Sequence, residues 1–285
     1  MKSELRWEKT YLNLHMDKTS GVQKMTVYDI LLNFFIYSFL GWCTEVAFAA
    51  VKQKKFVNRG FLNGPLCPIY GIGVTVVVAV LEPYMDHLLM LYLMSAFLVT
   101  ALEYVTGALL EKIFHHKWWD YSEVPFNIKG YVCIPFSLIW GAACVMIVKF
   151  IHPALYRAVS FMPEYLGMVL LTFLCGLTLA DVYVTVTGIL KLNRRLDKME
   201  QIANELRHVS EQIGESIYQN MMDGMEKQEQ IRAKAEELKQ RYEEMLENLR
   251  GTERRILSAF PKMKSKKYGR HIEELREYLK RKRRS

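Results

Sequence analysis

Three carboxylates, Glu45, Glu103 and Asp181, lie inside apolar stretches of this 285-residue chain. Charged side chains at such positions are costly in a membrane, and they mark ion or substrate pathways, proton relays or ion pairs. The first basic residue after each acid follows 7, 9 and 10 positions further on, which is roughly 10–15 Å along a helix. The sequence therefore predicts that the three acids lie at a similar depth, near one end of the helices that carry them.

Two basic residues, Arg59 and Lys129, stand just before later apolar stretches, and each is followed by glycine. Helices starting there would add the partial positive charge of their N-termini. The neighbouring glycines and prolines allow irregular backbone, which a membrane tolerates only where protein or water satisfies it. This loop and helix-start motif comprises Asn58, Gly60, Gly64, Pro65, Pro68, Gly130 and Pro135. Bases and acids together fit either a substrate or ion site, or salt bridges that fix helix register.

The order of these features occurs twice, which indicates an internal repeat. A Phe-Leu pair, four residues and then glutamate occur at 39–45 and again at 97–103, and a basic-glycine pair follows each glutamate. Tyr-Val-Thr follows both Glu103 and Asp181 closely. We predict two parallel two-span units and a fifth helix, the units being related by an axis along the membrane normal.

Five apolar stretches are candidates to cross the hydrocarbon layer, which takes about 20 helical residues. They lie at about 27–51, 66–82, 87–112, 131–151 and 165–190. The second is the shortest. Buried helices of a soluble protein would show polar faces at helical spacing, which these stretches lack. The predicted fold is therefore all-α, a polytopic helical membrane bundle of about five transmembrane helices with a C-terminal cytoplasmic coiled-coil arm.

Charge is distributed unevenly, and the contrast predicts the domain boundaries. Residues 25–190 contain 9 Lys/Arg and 10 Asp/Glu, whereas residues 191–285 contain 24 and 17. We predict a polar N-terminal tail at 1–24 without a cleavable signal, and a transmembrane domain at 25–190. A coiled coil at 191–250 and a basic helical tail at 251–285 follow. This composition excludes a one-domain soluble enzyme.

The basic residues also predict the orientation. In a five-span arrangement the loops at 52–65 and 112–130 and the C-terminal arm share one side, and they are rich in Lys and Arg. The loops on the other side contain a single base, Arg157. The positive-inside rule therefore predicts a cytoplasmic C-terminus, which places the three acids in the cytoplasmic half of the bilayer.

The polar arm has the periodicity of packed helices. Apolar residues recur at three- and four-residue intervals over 189–217 and again over 231–249. This spacing predicts a coiled coil, formed either between protomers of a homo-oligomer or as a hairpin within one chain. A solvated single helix is the remaining alternative.

The chain ends in a strongly basic tail, with 11 bases and 3 acids in residues 262–285. Its densest run is Lys280, Arg281, Lys282, Arg283 and Arg284. On the cytoplasmic side such a tail would bind anionic phospholipid at about 1 kcal/mol per base, although a merely solvated tail is the alternative. No recognised nucleic-acid motif accompanies it, so no nucleic-acid partner is expected.

Other chemistry is poorly supported. All five cysteines lie in or beside the spans without a CxxC pair, which is typical of buried thiols. The loop at 111–121 has two acid–histidine pairs at i,i+4 spacing but no evident third ligand, so we predict no metal. Its Trp118, Trp119 and Tyr121 indicate an interfacial aromatic belt. No nucleophile–base pairing is recognisable, and we predict neither an enzyme with catalytic residues nor a cofactor.

Four segments carry a resemblance to a known family, namely FLGWCTE (39–45), NRGFLNGPLCPIYGIG (58–73), EYVTGALLEKIFHHKWWDYSEVPFNIKGYVC (103–133) and IPFSLIWG (134–141). They resemble the bacterial putative ABC-transporter permease family, type IV, over about residues 25–190. The resemblance implies a multi-pass protein of the bacterial cell membrane with a transport role, and it supplies neither a substrate nor catalytic residues. Because the chain lacks a G-x-x-x-x-G-K-[ST] phosphate loop, any ATPase would be a separate subunit.

Two functions follow from these features. The first is a transporter-like permease subunit with a polar site inside the bundle, formed by Glu45, Glu103 and Asp181 with Arg59 and Lys129 opposite. The alternative is a non-transporting membrane anchor that presents a cytoplasmic coiled coil to a partner.

Overall fold

The computed structural model of the chain describes residues 25–159, 161–219 and 225–282. The predicted N-terminal tail at 1–24 and the tail residues Arg283 and Arg284 lie outside this part. The fold is all-α, as predicted, with 78% of the chain helical. Two two-residue strands form an antiparallel hairpin, β1 (Asn127–Ile128) and β2 (Val132–Cys133).

The first five helices carry most of the apolar sequence. They are α1 (Val27–Gln53), α2 (Pro68–Leu81), α3 (Leu88–Phe114), α4 (Ile134–Met146) and α5 (His152–Val159). A short 3-10 helix, Glu82–Tyr84, follows α2, and one wide π turn, Ile147–Ile151, joins α4 to α5 without a break. Four helices follow: α6 (Glu164–Gln219), α7 (Met225–Glu247), α8 (Gly251–Ala259) and α9 (Gly269–Lys282).

Within the described ranges, four helical segments are long and apolar enough to cross a membrane, namely Val27–Gln53, Leu88–Phe114, Ile134–Val159 and Glu164–Gln212. Only 11% to 28% of each apolar window is buried inside the protein, so most of this surface is left for lipid. The second predicted span corresponds to α2, which has 14 residues and a length of about 21 Å. It is apolar but shorter than a full crossing.

Helix α1 illustrates why these boundaries occur where they do. Thr26 precedes it and forms a capping box with Asp29, in which the Asp29 N–H donates to the Thr26 hydroxyl at 3.2 Å. The chain leaves the helix through Lys54, which has a left-handed backbone with φ of 52°. Such an end turns the chain sharply and lets the following loop fold back.

The chain divides into two compact units. The span unit comprises the described residues up to Ala108 together with Tyr121–Asp181. Its apolar core contains Tyr37, Val74, Val77, Val78, Leu81, Leu91, Cys144 and Val148. Helices α1 and α2 approach closely here, because a Cβ on Gly71 would overlap Ser38 and Phe34.

The arm unit comprises Leu109–Asp120 and the described residues from Val182 onward. Its fully buried side chains include Ile189, Leu192, Leu196, Met199, Ile256, Met263, Ile272 and Leu275. The segment after α3 is part of this unit, because Lys117 and Lys264 exchange two backbone hydrogen bonds, of 2.8 and 2.9 Å. Trp118 is 4% exposed and packs edge-on against Phe260, with ring centroids 4.7 Å apart. The predicted aromatic belt is therefore wrong for Trp118, which is a core residue of the arm unit.

Hydrogen bonds within the same chain join α6 to the C-terminal end of α7. The Arg195 guanidinium donates to the carbonyl oxygens of Met245 and Asn248 at 2.8 and 2.9 Å. This contact fits the hairpin form of the predicted arm, while a supercoil or a homo-oligomer stays a prediction. The basic tail ends in α9, which buries His271, Ile272 and Leu275 and exposes Lys280, Arg281 and Lys282.

Candidate functional site

The loop between α1 and α2 is folded into the span unit. Val57, Leu62 and Cys67 are buried, at 7%, 0% and 5% exposure. Asn58 holds the loop closed, because it accepts a hydrogen bond from the Trp42 indole at 2.7 Å and donates one to the Asn63 carbonyl at 2.5 Å. The motif residue Asn58 is thus the structural centre of this loop.

Glu45 forms an ion pair with Arg59. Its carboxylate lies 2.7 Å from Arg59 Nε and accepts a hydrogen bond from the Tyr70 hydroxyl, also at 2.7 Å. The Arg59 guanidinium lies 5.2 Å from the centroid of the Phe48 ring, a cation–π distance. The charge of Glu45 is therefore compensated within the loop and the helices beside it.

Asp181 binds the other end of the same loop. Its carboxylate accepts hydrogen bonds from the Asn63 N–H at 3.1 Å, the Asn63 side-chain amide at 2.9 Å and the Gly64 N–H at 2.7 Å. A Cβ on Gly64 would lie 3.1 Å from this carboxylate, so glycine is what allows the close approach. Three hydrogen-bond donors stabilise the Asp181 carboxylate.

Glu103 has the least compensation of the three acids. One carboxylate oxygen accepts a hydrogen bond from the Tyr121 hydroxyl at 3.2 Å. The other oxygen is buried and has no hydrogen-bond partner among the described residues. No ion pair between described residues includes Glu103.

Tyr121 connects the two glutamates electrostatically. Burial raises the pKa of its hydroxyl most strongly, and the charge and hydrogen bond of Glu103 raise it further. The charge of Glu45 acts in the same direction, so Glu45 lies within electrostatic range of the same phenol. The Tyr121 ring stacks on Phe136 at 5.0 Å, so its position is set by packing as well.

The β-hairpin positions Tyr121. Lys129 and Gly130 form its turn with φ of 52° and 74°, and the Tyr131 N–H closes the turn on the Ile128 carbonyl at 3.1 Å. Two successive residues with positive φ are typical of a type I′ turn. The Gly130 carbonyl then accepts the Tyr121 N–H at 2.9 Å. The second basic-glycine pair is thus a hairpin turn that holds Tyr121 beside Glu103.

The structure brings most of the predicted polar residues together, with one difference in pairing. Arg59 reaches Glu45 and Asp181 reaches the motif loop, whereas the side chain of Lys129 is exposed at the hairpin turn. The position opposite Glu103 that the repeat suggested for Lys129 is occupied by Tyr121. Of the remaining motif residues, Pro68 begins α2 and Pro135 lies in the first turn of α4.

Sequence reasoning missed Trp42, Asn63, Tyr70 and Tyr121. A signal was present, because all four lie in the segments that carry the resemblance, Trp42 in 39–45, Asn63 and Tyr70 in 58–73 and Tyr121 in 103–133. The described residues contain no group of three or more His, Cys, Asp or Glu side chains placed to hold a metal ion. The chemistry of the site is that of a half-buried polar network in which one oxygen of Glu103 is buried without a hydrogen-bond partner among the described residues.

Long apolar helices enclosing a polar network define this chain as a helical membrane protein. A family model described as "Putative ABC-transporter type IV" matches residues 32–186, and the chain belongs to that family. The match includes all three acids, the motif loop and the hairpin. No match was found among curated proteins or among solved structures.

Proposed function

We propose that the chain is a transporter-like permease subunit, in which the polar network around Glu103 binds a transported cation or a proton. The observation that carries this proposal is the open, buried oxygen of Glu103. An ionised carboxylate in that place needs a positive partner, and a protonated one needs an acceptor for its proton. Glu45 and Asp181 already have partners, so Glu103 is the acid with binding capacity left over.

The neighbours of Glu103 suit this role. The hydroxyl of Tyr121 can donate to the carboxylate when the site is empty and turn toward a bound ligand. Arg59 pairs with Glu45, and the donors of Asn63 and Gly64 occupy the Asp181 carboxylate, so Glu103 is the acid left with an open oxygen. One carboxylate supplies one negative charge, which favours a singly charged cation or a proton.

The orientation and the partners belong to the same proposal. With the motif loop and the arm on the cytoplasmic side, the network opens toward the cytoplasm of a bacterial cell membrane. A separate ATPase subunit could act on the arm, and the basic end of α9 could contact anionic phospholipid. The alternative, a non-transporting anchor, would produce no ion flux.

The test is ion flux in liposomes that contain the purified full-length chain. Proton, Na⁺ and K⁺ fluxes are followed separately with entrapped dyes under a potential clamped by an ionophore. Glu103→Gln keeps the size of the side chain and removes its charge, and we expect it to lower the flux about tenfold or more, as for loss of an intramembrane charge with a direct role.

Glu164→Gln is the matched control, because Glu164 is exposed at the start of α6 and its substitution should leave flux unchanged. Flux equal to that of protein-free liposomes for all three ions would favour the anchor. Normal flux by the Glu103→Gln variant would remove Glu103 from the mechanism.

A further inference from the structure

A basic cavity of about 270 Å³ lies in the arm unit between α6 and the segment that leads into α8. Its lining residues are Lys191, Arg194, Arg195, Lys198, Met245, Arg250 and Glu253. We propose that this cavity binds a phosphate group. The proposal is independent of the polar network in the span unit and of the basic end of α9.

The charges of the lining do not cancel one another. Glu253 is 2% exposed and its carboxylate is engaged by Arg195 at 3.3 Å, so the one acid of the lining is already paired. Arg195 in turn donates to the carbonyls of Met245 and Asn248 and holds α6 against the end of α7. The charges of Arg195 and Glu253 therefore cancel, and neither residue is free to bind a ligand at the cavity.

Four further bases line the cavity, namely Lys191, Arg194, Lys198 and Arg250. All four are exposed, and none of them forms an ion pair with an acid among the described residues. Three lie on one face of α6 at three- and four-residue spacing, where like charges repel. Such a cluster costs stability unless an anion neutralises it, and a phosphate group accepts several charge-assisted hydrogen bonds from Lys and Arg at once.

The position along α6 indicates where the phosphate group would come from. Lys191 directly follows the apolar run of the helix, whose last turns expose Tyr183, Val184 and Leu190 at 72%, 49% and 42%. The four bases thus begin where an apolar, lipid-facing helix becomes polar, which is the level of phospholipid headgroups. A headgroup phosphate and a soluble phosphate ester share the same recognition chemistry, and an experiment with two arms separates them.

The protein is tested as the full-length chain in an uncharged detergent. The first arm titrates phosphatidylglycerol against phosphatidylcholine and counts bound lipids by native mass spectrometry. The second arm titrates inorganic phosphate and follows the shift of the thermal unfolding midpoint. The variant combines Lys191→Gln, Arg194→Gln, Lys198→Gln and Arg250→Gln.

A matched control removes the same number of charges elsewhere in the arm unit. It combines Arg232→Gln, Lys234→Gln, Lys239→Gln and Lys262→Gln, four exposed bases that do not line the cavity. The double variants Lys191→Gln/Arg194→Gln and Lys198→Gln/Arg250→Gln provide the same comparison if the fourfold variant unfolds.

We expect the cavity variant to lose about a hundredfold or more in affinity for phosphatidylglycerol, since each of its four bases near an anionic surface contributes about fivefold. The control should stay within about twofold of the wild type. A third outcome is that inorganic phosphate binding depends on the same four bases while phosphatidylglycerol is not preferred. This result would support the cavity as a binding site for a soluble phosphate ester. Equal losses in the cavity variant and the control, or no loss in either arm, would overturn the proposal.

Discussion

At the scale of single residues, three acids of one type are held in three different ways. Glu45 has a guanidinium, Asp181 has backbone and amide donors, and Glu103 has one phenol. The sequence revealed the acids because a charge in an apolar run is visible without a structure. It did not reveal the donors, because Asn63 and Asp181 are 118 positions apart and an asparagine in a loop carries no distinguishing pattern.

His116 shows how burial produces a pH dependence. Its ring is fully buried, and its Nε2 lies 2.6 Å from the Asn193 side-chain oxygen, whose amide nitrogen donates to the Phe114 carbonyl. Nε2 must therefore carry the proton, and Nδ1 is buried without a hydrogen-bond partner among the described residues. Protonation would place a second N–H where no described residue accepts it.

Burial lowers the pKa of His116 most strongly, the hydrogen bond that His116 donates to Asn193 opposes this shift, and the neighbouring charges of His115 and Arg276 lower the pKa further. The unfolded chain then binds the proton more tightly than the folded one. The contribution of His116 to stability is complete above the unfolded pKa of about 6.5 and is lost as the pH falls through the lower folded value.

We therefore predict that thermal unfolding midpoints fall less between pH of about 7.5 and about 5 in His116→Gln than in the wild type. Glutamine keeps an N–H donor for Asn193 and does not titrate. His87→Gln, at an exposed position, should retain the pH dependence of the wild type. An unchanged pH dependence in His116→Gln would contradict this account.

At the scale of elements, the hairpin between α3 and α4 needs a glycine in its turn in order to hold Tyr121 in place. Gly130 has φ of 74°, and its carbonyl holds the Tyr121 N–H. We predict that Gly130→Ala lowers the free energy of unfolding by about 1–2 kcal/mol, because a Cβ is strained in the left-handed region. Denaturant unfolding of the purified protein measures this loss.

Gly176→Ala is the control for that measurement. Gly176 lies within α6, and an added Cβ meets no atom within 4 Å. Alanine should be neutral or stabilising there, since it is the better helix former. A loss as large in Gly176→Ala as in Gly130→Ala would argue against strain in the hairpin turn.

The elements were predictable to different degrees. Apolar runs of 20 or more residues located α1, α3, α4 with α5, and the first part of α6, because the hydrophobic requirement for crossing a membrane acts on each run alone. The polar continuation of α6 was visible as three- and four-residue spacing over 189–217. Its contacts with α8 and α9, such as Arg195 with Glu253 and Glu200 with His271, were not visible, because periodicity does not identify the packing partner. The hairpin was missed because two-residue strands leave no periodicity.

At the scale of the whole molecule, the two compact units do not simply follow one another along the sequence. The segment Leu109–Asp120, which precedes the hairpin, belongs to the arm unit. Besides the paired backbones of Lys117 and Lys264, the Lys264 ammonium lies 2.8 Å from Asp120. Charge patterning could not predict this, because it reports which residues avoid lipid and not which of them pack together.

This organisation predicts a long-range effect of Trp118. Trp118→Ala should destabilise the arm unit by about 3–5 kcal/mol, the range for removing a large buried aromatic side chain. Hydrogen exchange should then become faster in peptides that contain Ile256, Met263 and Ile272, far away in the sequence.

Trp119→Ala is the internal comparison, because Trp119 has the same side chain at the next position and is only half-buried. Its effect on exchange in those peptides should be clearly smaller. Equal effects of the two substitutions would indicate that the Trp118–Phe260 contact does not hold the segment in place.

The wide turn at Ile147–Ile151 has a consequence for insertions and deletions in this span. One residue added to a regular α-helix rotates everything beyond it by about 100°, whereas a π turn takes up one additional residue locally. The turns on either side can then keep facing the same neighbours, and His152 still meets the Tyr37 hydroxyl at 2.9 Å. The gene therefore encodes one residue more in this span than a regular helix would need to keep α4 and α5 facing the same neighbours.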